Sequence, residues 1–159
     1  MMSVIHFLNV KDGDCIWIEH NCGHNTMIDV SNAKTIENDE ERSMQNTSGN
    51  YNRKNYPVNP VKSLKDYEQR SIFRFILTHP DMDHMDGIKT IFNEFSVANF
   101  WDTENEKVMD ENSEWGGYKK EDWDFYQSIR KNNDNPKTLN LYSGSIGQYY
   151  NEDAEGNIS

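Results

Sequence analysis

The segment LTHPDMDHMDG, residues 77–87, packs two histidines and three aspartates into a few consecutive positions of a chain with five histidines in all. Imidazole nitrogen and carboxylate oxygen are the side-chain ligands of choice for Zn²⁺, Mn²⁺ and Fe²⁺. His79, Asp81, Asp83 and His84 on one loop can wrap a single cation or divide between two. In an extended stretch His79, Asp81 and Asp83 point the same way, because strand side chains alternate, and His84 approaches from another direction. Pro80 stiffens the loop and Gly87 permits a sharp turn into the next element. The competing reading is an acidic helix cap, with Asp81, Asp83 or Asp86 over the next helix and His79 on the surface. One aspartate would fit that reading, whereas the whole set favours a metal. Four convergent side chains predict ligand atoms about 2.0–2.2 Å from a common Zn²⁺.

Elements on either side must hold this loop in place. SIFRFILT (71–78) is a nearly continuous apolar run, the pattern of a strand covered on both faces. After Gly87, the residues Ile88, Ile91, Phe92 and Phe95 fall on one stripe of a helix. The cluster therefore lies at the carboxyl end of a buried strand, where α/β proteins hold ligands. Upstream, VIHFLNV (4–10), CIWIEH (15–20) and NTMIDV (25–30) are joined by the Gly-containing turns KDGD and NCGH and read as an antiparallel meander. Residues 31–59 lose apolar periodicity and read as a polar insertion, either ornamental or a lid over the cluster. VKSLKDYEQR (61–70) predicts a short helix, VANFWDT (97–103) another strand. KEDWDFYQSIRKN (120–132) predicts a helix with Trp123, Tyr126 and Ile129 inward. Alternating strands and helices indicate an α/β fold.

Composition narrows the function classes. The 159 residues are enough for one domain, with 35% hydrophobic and 27% charged residues and a mean hydropathy of -0.96. A net charge of -11 argues against a general phosphate-binding surface, since non-specific nucleic-acid affinity comes from clustered Lys and Arg. Cys15 and Cys22 have no zinc-ribbon spacing and read as incidental thiols of a reduced, cytoplasmic protein. The opening residues lack the basic and apolar regions of a signal peptide, and no apolar run approaches the roughly 20 residues of a membrane helix.

THPDMDHMDGI resembles the HxHxDH signature of the metallo-β-lactamase superfamily, in the HxDxDH form typical of the branch similar to the hydrolase domain of the DNA-uptake competence protein ComEC. FLNVKDGDCIWIE resembles that family's opening strand–turn–strand, usually close to FLDVGQGDAILI, and NTMIDVSNA its next strand. The three pieces are collinear over roughly the first 100 residues. The resemblance implies an αββα sandwich, of which this chain supplies the N-terminal half, and a pair of divalent ions, Zn²⁺ or Mn²⁺, at its edge. It places His79 and Asp81 in the first metal site and Asp83 and His84 in the second, with Asp83 also steering the attacking water. Asp29 would orient a ligand or the motif loop. Asp81 stands where histidine is commoner, and its harder oxygen brings Mn²⁺ into range beside Zn²⁺.

Family members supply further ligands downstream, including a bridging Asp and a late His. This chain has no histidine after His84, and His6, His20 and His24 lie in the opening meander, where core or surface roles are expected. YYNEDAEGNIS resembles the approach to the strand before the bridging Asp. The expectation is therefore an N-terminal part of one domain, completed by downstream sequence, which alone binds metal weakly and hydrolyses poorly. The function expected is a metal-dependent hydrolase acting on a phosphodiester, with a small nucleotide or single-stranded nucleic acid fitting the charge better than duplex DNA. The alternative is a non-catalytic binding or interaction module that retains the fold.

Overall fold

Short apolar runs separated by glycine turns pair with their neighbours, and the opening of the chain does so. β1 (Val4–Phe7), β2 (Ile16–Glu19) and β3 (Asn25–Ile28) form the antiparallel meander expected from the sequence. The computed structural model describes residues 2–33, 57–109, 113, 115–132 and 134–141. Most of the polar insertion and the YYNEDAEGNIS segment lie outside the described residues. The ends of the insertion do not. Ser31 and Ala33 are buried, and the Asn32 side chain donates to the Val58 carbonyl at 3.0 Å, so both borders of the segment are part of the folded body.

Three helix–strand units come after the meander. α1 (Pro60–Asp66) precedes β4 (Ser71–Ile76), α2 (Ile88–Glu94) precedes β5 (Ser96–Thr103), and α3 (Lys120–Ile129) precedes β6 (Lys137–Leu141). Parallel neighbours require such crossovers, and β3, β4, β5 and β6 are parallel. The result is one mixed six-stranded sheet in the order β1-β2-β3-β4-β5-β6. Helix α1 begins where the Asn59 side chain accepts from Val61 N and Lys62 N, with Pro60 in the first turn. It ends at Asp66, short of the expected 70, because the chain turns out through Glu68 in a left-handed conformation, φ 58°. β6 was not foreseen: KTLNL carries little apolar weight and follows a proline, which is how a polar edge strand reads.

The helices pack on one face of the sheet. Cross-strand register places Trp17, Met27, Phe75 and Phe100 in one row, and these join Leu64 of α1, Ile88 and Ile91 of α2 and Trp123, Tyr126 and Ile129 of α3 in a single core. The inward stripes of α2 and α3 are those their sequences predict. On the opposite face the register aligns Phe7, Ile16, Ile28, Ile76, Trp101 and Leu139. Trp101 is buried, Ile28 and Ile76 are half-buried and Phe7 is 77% exposed. The expectation that β4 is covered on both faces is thus met on the helical side, and among the described residues no helix packs on the other. None of the described helices is long and apolar enough to cross a membrane.

The two faces should respond differently to truncation. Phe75→Ala, which opens a cavity under α2, is expected to cost about 3–5 kcal/mol. Phe7→Ala should stay within about 0.5 kcal/mol. Urea unfolding of both variants measures the contrast, and equal costs would mean that the core is misplaced.

Candidate metal centre

The loop after β4 leaves the sheet beside β3, and both strand ends contribute to one cluster. Asp29 follows β3 directly, 2% exposed and with φ 54°, a left-handed conformation that aspartate tolerates better than most residues. That turn aims its carboxylate across to the neighbouring strand end. Oδ1 accepts the Thr78 backbone N–H at 2.8 Å and Oδ2 accepts the Thr78 hydroxyl at 2.6 Å. Oδ2 also faces His84 Nδ1 at 2.9 Å.

The Asp29 carboxylate accepts, so the N–H on His84 Nδ1 is the donor to it. The Thr78 hydroxyl donates to Asp29, so it accepts from His79 Nδ1, 3.0 Å away. One buried carboxylate, acting once directly and once through Thr78, thus engages both Nδ1 atoms, and Nε2 is the nitrogen each ring has left to offer a metal.

Both Nε2 atoms face carboxylates. His79 Nε2 lies 3.5 Å from Asp81 Oδ2, and His84 Nε2 lies 3.7 Å from Asp83 Oδ2. These spacings are long for hydrogen bonds. They are near the roughly 3.4 Å that separates two ligands of one tetrahedral ion with bonds of about 2.1 Å. The two rings approach to 3.9 Å between centroids, so the pairs adjoin. His79 with Asp81 and Asp83 with His84 are two adjoining pairs of potential ligands, and the four do not close on the one common point expected of them. By distance alone Asp29, His79 and His84 also form a triad whose ligand atoms lie within 4.8 Å of one another. Asp29 already receives three donors, and we read it as the residue that orients the rings.

The motif is not extended throughout. Met82–His84 is a 3-10 turn, closed by His84 N to Asp81 O at 2.9 Å. Its tighter winding breaks the two-residue alternation, so Asp83 turns away from the side shared by His79 and Asp81 and meets His84 instead. The helix-cap alternative also fails. Gly87, φ 90°, occupies the N-cap of α2, and its cap comes from Asp122 of α3, which accepts Gly87 N at 3.1 Å and Lys89 N at 3.0 Å. Asp86 instead accepts Asn32 N at 3.1 Å.

Two glycines set how closely the backbone packs here. A methyl group on Gly13, φ 71°, would lie 1.8 Å from the Asp83 carbonyl oxygen, and one on Gly87 would lie 2.0 Å from the Ala33 carbonyl oxygen. The KDGD turn of the opening hairpin thus lies directly against the motif. Val30 bridges Met85 from the other side, with Val30 N donating to His84 O at 3.0 Å.

Four participants carried no sequence signal strong enough to find. Thr78 reads in sequence as the end of a strand and Asp122 as helix surface. Lys107 and Tyr118 lie between β5 and α3, where no periodicity points to them. The Lys107 ammonium bonds Asp81 Oδ1 and holds the Asp81 carboxyl below its usual range. Burial, and the negative charges of Asp83, Asp12 and Asp86, push the Tyr118 phenol up. The remaining histidines are engaged elsewhere, as expected. His6 stacks on Trp17 at 4.2 Å, His20 bonds Thr26 at 2.8 Å and His24 stacks on Phe73 at 3.9 Å. Cys15 and Cys22 are not joined in a disulfide.

No family model and no curated protein matches this chain. The case for the centre rests on its own geometry.

Two substitutions test that geometry. Asp29→Asn places an amide donor or a weaker acceptor against His84, so the Nδ1–H form should no longer dominate. Long-range nitrogen–proton NMR of the metal-free protein reads this directly, and zinc affinity should fall roughly 10–100-fold. Gly13→Ala meets both a left-handed backbone and the Asp83 carbonyl, and should cost more than about 2 kcal/mol in thermal or urea unfolding. A neutral Gly13→Ala would mean that the hairpin does not brace the motif.

Proposed function

We propose that the chain belongs to a metal-dependent hydrolase of the metallo-β-lactamase type, in the ComEC-like branch, acting on phosphodiester or nucleotide substrates. The observation that carries this reading is the pairing of two Nε2 atoms with two carboxylates on the loop at the carboxyl end of β4, with Asp29 at the end of the adjacent parallel β3 holding both rings. The αββα architecture belongs to the same proposal. A helical layer covers one face of the sheet, and the apolar row from Phe7 to Leu139 on the other is where a second sheet would pack.

In this reading His79 and Asp81 hold one ion and Asp83 and His84 the other. A divalent ion there supplies Lewis acidity, lowering the pKa of a water and polarising a phosphoryl oxygen. The protein does the rest. Asp29 and Thr78 fix the imidazoles before any ligand arrives, so little reorganisation accompanies binding. Asp83, with 38% of its side chain exposed, has room to accept a proton from an attacking water. A net charge of -11 directs the substrate towards a small nucleotide or a single strand gripped near the ions.

The test loads the chain with Zn²⁺ or Mn²⁺ and assays bis-p-nitrophenyl phosphate, single-stranded DNA and a chromogenic cephalosporin. Slow, metal-dependent cleavage of the phosphodiesters is expected, falling roughly a hundredfold or more in Asp83→Ala. Cleavage of the cephalosporin alone, indifferent to Asp83→Ala, would overturn the substrate class and the site. Stoichiometric binding of a nucleotide without metal or turnover would favour a binding module.

A further inference from the structure

Lys107 is a cation that touches the motif yet belongs to none of its expected roles. Its ammonium bonds Asp81 Oδ1, while the other oxygen of Asp81 faces His79 Nε2 at 3.5 Å. The backbone that carries it is fastened from beneath. Asp102, at the end of β5 and 2% exposed, accepts the Tyr126 hydroxyl at 3.1 Å and Arg130 Nε at 3.1 Å. Asn105 donates to the Tyr126 hydroxyl oxygen at 2.9 Å, its carbonyl accepts from Arg130 Nη2 at 2.9 Å, and its side-chain oxygen accepts Lys107 N at 3.2 Å. Burial pushes the Tyr126 phenol up to about 12, so it remains a donor to Asp102. The loop from β5 is therefore anchored beside the motif as far as Asn105, and one exposed hydrogen bond ties the Lys107 backbone to that anchor.

We propose that Lys107 is the anion-binding residue of this site: it neutralises Asp81 while no cation is bound, and takes an oxyanion of the substrate once Asp81 is engaged by a metal. The proposal rests on the hydrolase reading above. The exchange is a consequence of charge. A divalent ion attracts the Asp81 carboxylate more strongly than a monovalent ammonium does, since Coulomb energy scales with the product of the charges. The displaced ammonium stays at the mouth of the site on a flexible four-carbon stem, 37% exposed and carrying three donors. A phosphate oxygen, a compact anion that lysine binds as a point charge, is the ligand that restores its pairing.

The experiment compares wild type, Lys107→Met and Lys107→Arg, with unfolding midpoints confirming that all three fold. Zinc affinity is measured by competition with a chromogenic chelator, and binding of dimethyl phosphate to the zinc-loaded proteins by calorimetry. Lys107→Met should bind zinc at least as tightly as wild type, because Asp81 has lost its competitor. Its dimethyl phosphate affinity should drop about tenfold or more, the loss of one charge-assisted hydrogen bond, with partial recovery in Lys107→Arg. Unchanged dimethyl phosphate affinity in Lys107→Met, or none in zinc-loaded wild type, would overturn the role of Lys107 and leave the metal site standing. Loss of zinc binding in Lys107→Met would overturn it too, by making Lys107 part of the scaffold. Wild type that takes up no zinc would bring down the hydrolase reading, and this inference with it.

Discussion

Everything at the strand ends hangs on the Asp29 carboxylate. It is buried, it follows β3 in a left-handed turn, and it collects the Thr78 amide, the Thr78 hydroxyl and His84 Nδ1 within 2.9 Å. A buried charge is costly unless it is fully hydrogen-bonded, and three donors meet that condition. The same bonds stitch β3 to the chain leaving β4 and fix the tautomers of two histidines. A structural requirement and a chemical one are thus met by the same two oxygens. Removing the carboxylate would leave two imidazoles free to rotate and a strand junction with unpaired donors.

The motif loop is held by backbone as much as by side chains. The KDGD turn presses on Asp83, Ala33 presses on Gly87, Val30 bridges Met85 and Asp122 reaches from α3 to cap α2. The contacts come from the opening hairpin, the chain after β3 and helix α3, so the loop has little freedom to move as a unit. The 3-10 turn at Met82–His84 is the local consequence, bringing Asp83 round to His84 while Asp81 stays with His79. Two donor pairs from one short loop need that change of winding, since a straight strand would put His79, Asp81 and Asp83 on one side and leave His84 alone.

Sequence made the elements and the motif legible because both rest on local signals. Apolar periodicity located β1 to β5, α2 and α3, and residue type located His79, Asp81, Asp83 and His84. Asp29 was reached through resemblance, and its φ and its three donors could not be read from NTMIDV. Thr78, Lys107 and Asp122 act through contacts separated by up to 49 residues in sequence, between the Thr78 hydroxyl and Asp29, and such contacts leave no trace in a local window. β6 escaped for a different reason, since an edge strand carries half its signal on a solvated face. The error over Asp83 came from extending strand alternation past Pro80, where the bonds become those of a 3-10 turn.

The charge of the chain gives the last constraint. Asp12, Asp83 and Asp86 lie close enough to act together on Tyr118, and Asp81 adds a further carboxylate across the loop. Like charges so placed repel one another, and the Lys107 ammonium is set against Asp81, as that of Lys11 is against Asp12. A surface with a net charge of -11 does not attract polyanions over a broad area, so any anionic ligand must be drawn by charge concentrated at one point. Cations held by the histidine–aspartate pairs, with Lys107 released beside them, would reverse the local sign over only a few ångströms. Selectivity for a small phosphate ester over a long duplex would then follow from how little of the surface is positive.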